Sequence, residues 1–211
     1  MTEQYLFFCR HGYRDDHDVE FKGNGGLTTY GIAQAKLLGK ELKKYNIDYM
    51  VSSPYKRTLI TAEIIAASIN ISYDVDPLYS EWLNKEWHNK QPQIEDEITI
   101  SKKYPRAVFC SNDLRVVNSF PEDYKSLNAR CKMAANKIQK DSRNVLIITH
   151  GIIISNISSI LTKLKPSTFP SDICSLTVLH KIENNNWSIV LNNGLNHMQK
   201  YTKIIRFKNT K

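Results

Sequence analysis

The stretch Tyr5-Leu6-Phe7-Phe8-Cys9-Arg10-His11-Gly12 decides the fold prediction for this 211-residue chain, because an apolar run ends there in charged residues and a glycine. The stretch Val145-Leu146-Ile147-Ile148-Thr149-His150-Gly151 has the same form. A short apolar run of this kind is typical of a buried parallel strand that ends in a tight turn. Both stretches therefore predict strands of one parallel sheet, with Arg10, His11 and His150 at their carboxyl ends.

A third stretch places another basic residue near the end of a strand. Ser52-Ser53-Pro54-Tyr55-Lys56-Arg57-Thr58-Leu59-Ile60-Thr61-Ala62 follows a short apolar run and continues into a helical pattern. Ligands of open α/β sheets bind beyond the carboxyl ends of the strands. We expect four side chains to converge there, in a pocket suited to phosphate: Arg10, His11, Arg57 and His150.

Strands alternate with helices along the chain. This alternation predicts an α/β fold, a three-layer sandwich with a mostly parallel central sheet flanked by helices. Helices are predicted from an N-cap at Thr28 and over about 56–68, 122–140 and 152–164, and further strands over 48–52, 71–75, 174–180 and 187–191. The stretch 82–121 lacks clean periodicity, and we interpret it as a partly helical lid over the site. The whole chain, 1–211, is predicted to be one domain.

The net charge of +8 comes largely from a basic tail at about 199–211, which contains five Lys and Arg residues and no Asp or Glu. Without them the charge would be +3, so the basicity does not indicate a nucleic-acid partner. The tail is either solvated or contacts an acidic partner. Four scattered cysteines form no C-x-x-C pair. No signal peptide and no apolar run of about 18 residues is found, so we expect a cytoplasmic protein without membrane contact.

Phosphoryl transfer to an imidazole needs a neutral histidine, cations around the non-bridging oxygens and a further hydrogen-bond donor. His11 is the candidate nucleophile. Arg10 and Arg57 are the candidate cations, and His150 is the candidate donor. The loop Asp15-Asp16-His17-Asp18 could suggest a metal site but has no defined coordination spacing, so we predict catalysis without a metal or other cofactor.

The reaction also needs an acid that protonates the leaving alcohol. Glu81, in Pro77-Leu78-Tyr79-Ser80-Glu81-Trp82, is the candidate because it follows the third predicted strand at the start of the lid. We expect the aromatic neighbour Trp82 to lower the local dielectric and raise the pKa of Glu81. His88 and His180 are expected to have no catalytic role.

These motifs resemble the histidine phosphatase superfamily, which has the phosphoglycerate-mutase-like fold. The resemblance implies that His11 is transiently phosphorylated and that Arg10, Arg57 and His150 form the phosphate pocket. It also implies that Glu81 is the general acid. The matching segments run in family order and cover nearly the whole chain: Arg10–Gly12, Leu27–Ala35, Ser52–Ala62, Leu78–Trp82, Thr149–Gly151 and Asn192–Met198. His197, in the last segment, is expected to form structural hydrogen bonds.

The loop after Gly12 departs from the mutases of this family, which continue with Glu or Gln, then Ser, and a Trp-Asn pair. Here the chain reads Tyr13-Arg14-Asp15-Asp16-His17, which resembles the R-H-G-x-R-x-D pattern of the phosphatase branch. Arg14 is therefore a third candidate ligand for phosphate. The alternative is a salt bridge from Arg14 to Asp15 or Asp18.

The function predicted from these residues is a phosphomonoesterase, a hydrolase of the histidine acid phosphatase type with a phosphohistidine intermediate. Two alternatives are a 2,3-bisphosphoglycerate-dependent phosphoglycerate mutase and a catalytically weak interaction module. The substrate is a small-molecule or protein phosphoester. Four residues are candidate apolar walls that would suit an aromatic or bulky ester: Tyr13, Phe21, Trp82 and Trp87.

Overall fold

The structure, a computed structural model, describes residues 3–16, 23–109, 120–182 and 186–199. Predicted features that depend on Phe21, Asp18 or the tail from residue 200 lie outside these residues. The strands are β1 Gln4–Arg10, β2 Tyr49–Ser52, β3 Tyr73–Val75, β4 Ala107–Val108, β5 Val145–Thr149, β6 Leu176–Lys181 and β7 Trp187–Gly194. The helices are α1 Thr29–Leu42, α2 Lys56–Ile69, α3 Glu97–Lys103, α4 Tyr124–Lys140 and α5 Gly151–Thr162.

The seven described strands form one sheet in the order β4-β3-β2-β5-β1-β6-β7. Strands β4, β3, β2, β5 and β1 are mutually parallel, whereas β6 runs antiparallel to both β1 and β7. Arg10 is level with Thr149, and Ser52 is level with Ile148. The carboxyl ends of β1, β5 and β2 therefore meet at the same edge of the sheet, which confirms the predicted α/β sandwich.

Apolar side chains bury both faces of the sheet. One face packs against α1 and α2 through residues such as Leu38, Leu42 and Leu59. The other face packs against α4 and α5 through residues such as Leu127 and Ile157. Burial of each such side chain stabilises the folded state by about 1.5–3 kcal/mol relative to leaving it exposed. The layers hold the central strands rigid and so fix the positions of the residues at their ends.

Two glycines bring the loop after β1 against the start of α1. A Cβ on Gly12 would lie 2.6 Å from the carbonyl oxygen of Gly31, and a Cβ on Gly31 would lie 2.3 Å from that of Tyr13. No side chain fits at either position without moving backbone. The helix begins as predicted, with Thr28 Oγ1 accepting the Gly31 N–H at 3.0 Å. These contacts explain why the sequence carries glycine at both places.

The range 82–121 differs in part from the lid interpretation. Helix α3 and strand β4 lie within it, and β4 pairs with β3 at the edge of the sheet. Ile100 and Tyr104 are buried in the main core, so this part stabilises the fold instead of covering the site. The earlier part reaches the loop between β1 and α1, where Asn24 Nδ2 donates to the Gln93 carbonyl at 2.9 Å. Residues 110–119 lie outside the described ranges.

Within the described ranges, every helix is too short or too polar to cross a membrane.

Candidate active site

The structure brings together the four pocket residues predicted from the sequence. Arg10 is the last residue of β1, and His11 follows it directly. Arg57 lies in the first turn of α2, and His150 lies between β5 and α5. The rings of His11 and His150 are 5.4 Å apart between centroids.

His11 presents one ring nitrogen to the pocket. Its Nδ1 lies 2.8 Å from the carbonyl oxygen of Gly12, so this nitrogen carries the proton and donates it. The other nitrogen, Nε2, accepts from Arg57 Nε at 3.2 Å. Burial holds the pKa of His11 well below its usual value, and the charges of Arg57, His150 and Arg10 lower it further. His11 is therefore neutral at pH 7, with the lone pair of Nε2 in the pocket.

The backbone around His11 is held from several elements. Gly12 N donates to Thr61 Oγ1 at 3.1 Å, and Tyr13 N donates to Gln34 Oε1 at 2.9 Å. The His11 carbonyl accepts from Cys174 N at 3.2 Å. His197 Nε2 lies 3.0 Å from the Cys174 carbonyl, which agrees with its expected structural role.

The two arginines offer donors without an acceptor. Arg10 Nη1 donates to the Ser171 carbonyl at 2.6 Å, and Arg57 Nη2 contacts Glu81 Oε2 at 3.3 Å. Arg10 Nε and Arg57 Nη1 are buried and have no hydrogen-bond partner in the described part of the chain. A buried guanidinium donor without an acceptor destabilises the fold. This arrangement is therefore suited to an anion that accepts hydrogen bonds from both donors.

His150 is buried between a hydroxyl and the acidic candidate. Its Nε2 lies 2.9 Å from Ser53 Oγ, and its Nδ1 lies 3.2 Å from Glu81 Oε2. Burial lowers the pKa of His150 to about 4; Glu81 opposes this shift and Arg57 adds to it. His150 is therefore neutral at pH 7. Ser53 was not predicted as the partner of His150, although it lies within the Ser52–Ala62 motif.

The expected rise in the pKa of Glu81 is wrong for this structure. Burial by itself would raise that pKa, as predicted from Trp82, but three neighbours act in the opposite direction. The hydrogen bond from His150 and the permanent charge of Arg57 hold the pKa of Glu81 well below its usual value, and at acid pH the charges of protonated His150 and His11 lower it as well. Glu81 is ionised in the free protein because it lies against a permanent guanidinium cation.

Three side chains of the site could in principle bind a metal ion, because each offers a ligand atom and these atoms all lie within 4.8 Å of one another: His11, Glu81 and His150. The guanidinium of Arg57 lies among them, with Nη2 at 3.2 Å from His150 Nδ1 and 3.3 Å from Glu81 Oε2. A permanently charged cation between these donors opposes a metal ion there. The arrangement favours anion binding over metal binding.

Arg14 forms an ion pair with Asp16, a partner that was not among those expected from the sequence. Asp18 itself lies outside the described residues. Besides burial, the charge of Arg14 contributes to lowering the pKa values of Arg10 and Arg57. Arg14 therefore lies close enough to act on the pocket electrostatically, and its binding to phosphate stays a prediction.

A cavity of about 290 Å³ opens beside Arg10 and Glu81. Trp87 lines it, and Trp82 packs edge-on against Trp87 with 5.1 Å between ring centroids. Tyr13 packs against Tyr30 instead of lining this cavity. The remaining lining is Gly151, Ile152, Ser155, Phe169, Pro170 and Ser171.

His88 belongs to the surroundings of the site, although the sequence analysis gave it no role. Burial lowers the pKa of His88, and the charges of Glu81, Arg57 and Arg14 also act on it. The signal in the sequence was its position seven residues after Glu81, in the stretch that leads away from the candidate acid.

The chain belongs to the histidine phosphatase superfamily, branch 1, whose family model matches residues 6–194. It is 28% identical to phosphoserine phosphatase 1 of Hydrogenobacter thermophilus over 173 residues, which cover 79% of this chain and 80% of that protein. This membership and the phosphatase names of relatives support a hydrolase that acts on phosphate esters.

Two solved structures share the fold. One is a mycobacterial glucosyl-3-phosphoglycerate phosphatase, with a TM-score of 0.64, 20% identity and coverage of 92% of this chain and 100% of that one. The other is the ecdysone phosphate phosphatase of the silkworm in complex with tungstate. Its TM-score is 0.65, at 19% identity, and the match covers 91% of this chain and 93% of that one.

Proposed function

We propose that this protein is a phosphomonoesterase that works through a phosphohistidine on Nε2 of His11. One observation carries the proposal: Nε2 of a neutral, buried imidazole lies beside two arginines, each of which has a buried donor without a hydrogen-bond partner in the described part of the chain. A phosphate group would accept from Arg10 Nε and Arg57 Nη1 while its phosphorus faces Nε2. This is the arrangement that nucleophilic phosphoryl transfer requires.

The reaction consists of two displacements at phosphorus. In the first, Arg57 Nε exchanges its hydrogen bond to His11 for one to the phosphoryl group, and the freed lone pair of Nε2 attacks phosphorus. The bond from phosphorus to the ester oxygen breaks, and Glu81 gives its proton to the departing alcohol. Water then attacks the phosphohistidine, gives a proton back to Glu81 and releases phosphate. The arginines stabilise the charge that spreads over the phosphoryl oxygens in both steps.

Glu81 needs a proton before it can act as an acid. In the free enzyme its carboxylate contacts Arg57 Nη2 at 3.3 Å. A bound phosphate would bring negative charge to the same guanidinium, which opposes ionisation of Glu81. Substrate binding therefore raises the pKa of Glu81 and prepares it to donate.

The cavity beside Arg10 supports an aromatic or bulky apolar leaving group. Trp87, Ile152 and Phe169 supply apolar surface there. Among its described lining residues the only charged ones are Arg10 and Glu81, and both are assigned to the reacting phosphate. The phosphomonoester of an aromatic or apolar alcohol matches this lining better than an ester whose alcohol carries its own charges.

Trapping the intermediate tests the proposal. Brief incubation with a 32P-labelled monoester and an alkaline quench should leave base-stable, acid-labile phosphate on the protein, located on His11 by mass spectrometry. His11→Ala should carry none and should lose turnover. His180→Ala is the matched control, because His180 lies in β6, where it stacks on Tyr5 of β1 outside the pocket. Residual activity of His11→Ala within tenfold of wild type would contradict the proposal.

A further inference from the structure

One side chain of α4 holds the segment that carries Glu81. Arg130 Nη1 donates to the carbonyl of Leu78 at 2.9 Å and to that of Ser80 at 2.8 Å. Arg130 Nη2 donates to the carbonyl of Glu81 itself at 3.4 Å. Three carbonyl oxygens of this segment are therefore satisfied by a single guanidinium.

Glu122 orients that guanidinium from the opposite side. Its carboxylate accepts from Arg130 Nε at 2.9 Å and from Nη2 at 2.8 Å, a bidentate pair. Glu122 also fixes the residues that follow Glu81: its carbonyl accepts from Trp82 Nε1 at 2.9 Å. The pair of Arg130 and Glu122 thus contacts the chain on both sides of the candidate acid.

This pair is anchored in the rigid part of the fold. Arg130 and Glu122 are both buried, and the neighbours of Arg130 on α4, Leu127 and Cys131, pack into the core. The planar guanidinium fixes the directions of its donors, which a flexible ammonium group does not. Movement of Arg130 is therefore restricted by the packing of the whole helix.

We infer that Arg130, oriented by Glu122, is a positioning residue that sets where the Glu81 carboxyl meets the leaving oxygen. The inference rests on the proposed function, because it requires Glu81 to be the general acid. A displacement of about 1 Å in a reacting group can lower a rate by about a hundredfold. Arg130 restricts such a displacement through its hydrogen bonds to the backbone around Glu81, and it does so without contacting the substrate.

A purely structural role would leave a different kinetic signature. Loss of a stabilising ion pair lowers the folded fraction or disturbs the whole pocket, so it slows all substrates alike. Loss of Glu81 positioning slows esters of poor leaving groups, whose alkoxides need a proton. Benzyl phosphate and 4-nitrophenyl phosphate separate these cases, since both are aromatic and only the nitrophenolate leaves without protonation.

The experiment measures the ratio of kcat/KM for benzyl phosphate to that for 4-nitrophenyl phosphate. This ratio does not depend on how much enzyme is folded, so it can be measured even in destabilised variants. Arg130→Lys and Glu122→Gln are the two test variants, and Glu81→Gln is the reference for loss of the acid. Lys137→Gln is the matched control, because Lys137 also extends from α4 to an acid, Asp76, at 2.7 Å.

We expect Arg130→Lys and Glu122→Gln to lower the ratio by about tenfold and Glu81→Gln to lower it by about a hundredfold. Lys137→Gln should leave it unchanged. Arg130→Lys should lower the ratio no further when Glu81→Gln is already present. Full additivity in that double variant, or an unchanged ratio in both test variants, would overturn the inference.

The reference variant separates failure of the inference from failure of the proposed function. If Glu81→Gln alters the ratio and the Arg130 and Glu122 variants do not, Arg130 is only structural and the acid assignment stands. If Glu81→Gln itself leaves the ratio unchanged, the acid assignment in the proposed function is wrong, and the positioning role fails with it.

Discussion

Arg57 donates from Nε to Nε2 of His11 at 3.2 Å, so the cation that would bind phosphate lies directly on the candidate nucleophile. The same guanidinium contacts Glu81 and His150 through Nη2. Arg57 therefore connects the nucleophile, the acid and the second histidine. Its side chain is 1% exposed, and this burial strengthens each of these interactions.

Arg57→Ala should lower kcat/KM by about 100- to 1,000-fold, the scale of losing a preorganised donor to the transition state. The inhibition constants of vanadate and inorganic phosphate should weaken with it, since the same donors bind these anions. Steady-state kinetics on 4-nitrophenyl phosphate provide both measurements. Arg106→Ala is the control, because Arg106 pairs with Glu63 at 2.9 Å outside the pocket. Unchanged phosphate affinity in Arg57→Ala would exclude the residue from the anion site.

The free energy of unfolding should depend on pH through His150. Its pKa is about 4 in the folded protein and about 6.5 when unfolded, so the unfolded chain binds more protons between these values. The contribution is fully present above pH 6.5 and is lost as the pH falls towards 4. Its size is about 3 kcal/mol, from about 1.4 kcal/mol for each unit of pKa difference. The lowered pKa of His11 acts in the same direction.

Urea unfolding of wild type and His150→Gln at pH 7.5 and pH 4.5 measures this contribution. The variant should lose less stability than wild type between the two values. His180→Gln, changed in β6, should keep the wild-type difference. Equal pH dependence in wild type and His150→Gln would show that His150 is not held neutral by burial.

Trp87→Ala should impair substrates with large aromatic leaving groups more than small ones. The ring of Trp87 lines the cavity beside Arg10 and is braced by Trp82. Its loss should raise KM for naphthyl phosphate by about fivefold, which corresponds to an aromatic contact of about 1 kcal/mol. KM for ethyl phosphate should stay within about twofold, because an ethyl group is too small to reach the ring. Tyr45→Ala, at an aromatic residue packed on Phe7, is the control. Equal effects on both substrates would remove Trp87 from the leaving-group site.

Much of this site could be predicted because its residues lie at the ends of strongly patterned elements. Strand β5 is buried along its whole length and β1 is buried from Leu6 to Cys9, so their ends locate Arg10, His11 and His150. Strand β4 was missed because two residues, Ala107–Val108, are too short to give an alternating pattern. Its place in the sheet follows from tertiary pairing with β3.

The protonation of Glu81 and the role of Arg130 could not be predicted from sequence. The pKa of Glu81 depends on contacts with Arg57 and His150, 24 and 69 positions away in the chain. Arg130 lies 49 positions from Glu81 and occupies the buried face of α4, where the helical pattern indicates an apolar residue. A charged residue at such a position is informative only once its partners are known.

The last prediction separates a phosphatase from a mutase. A mutase must hold a bisphosphate while it reorients, so it needs a second anion site next to the first. Arg14, the nearest candidate for that site, is paired with Asp16, and Asp15 adds negative charge to the same loop. These acids repel the second phosphate and the carboxylate of a bisphosphoglycerate.

We therefore expect phosphate release from monoesters without a bisphosphate primer, and isomerisation of 3-phosphoglycerate at most a small fraction of that rate. Both assays use one preparation, with and without 2,3-bisphosphoglycerate, and with EDTA as a third condition that should change nothing. Asp16→Asn removes one negative charge beside Arg14, so it should raise any primer-dependent isomerisation while hydrolysis stays near wild type. Fast isomerisation that requires the primer, with negligible hydrolysis, would establish a mutase. Loss of hydrolysis in EDTA would instead require a metal that the position of Arg57 among the donors argues against.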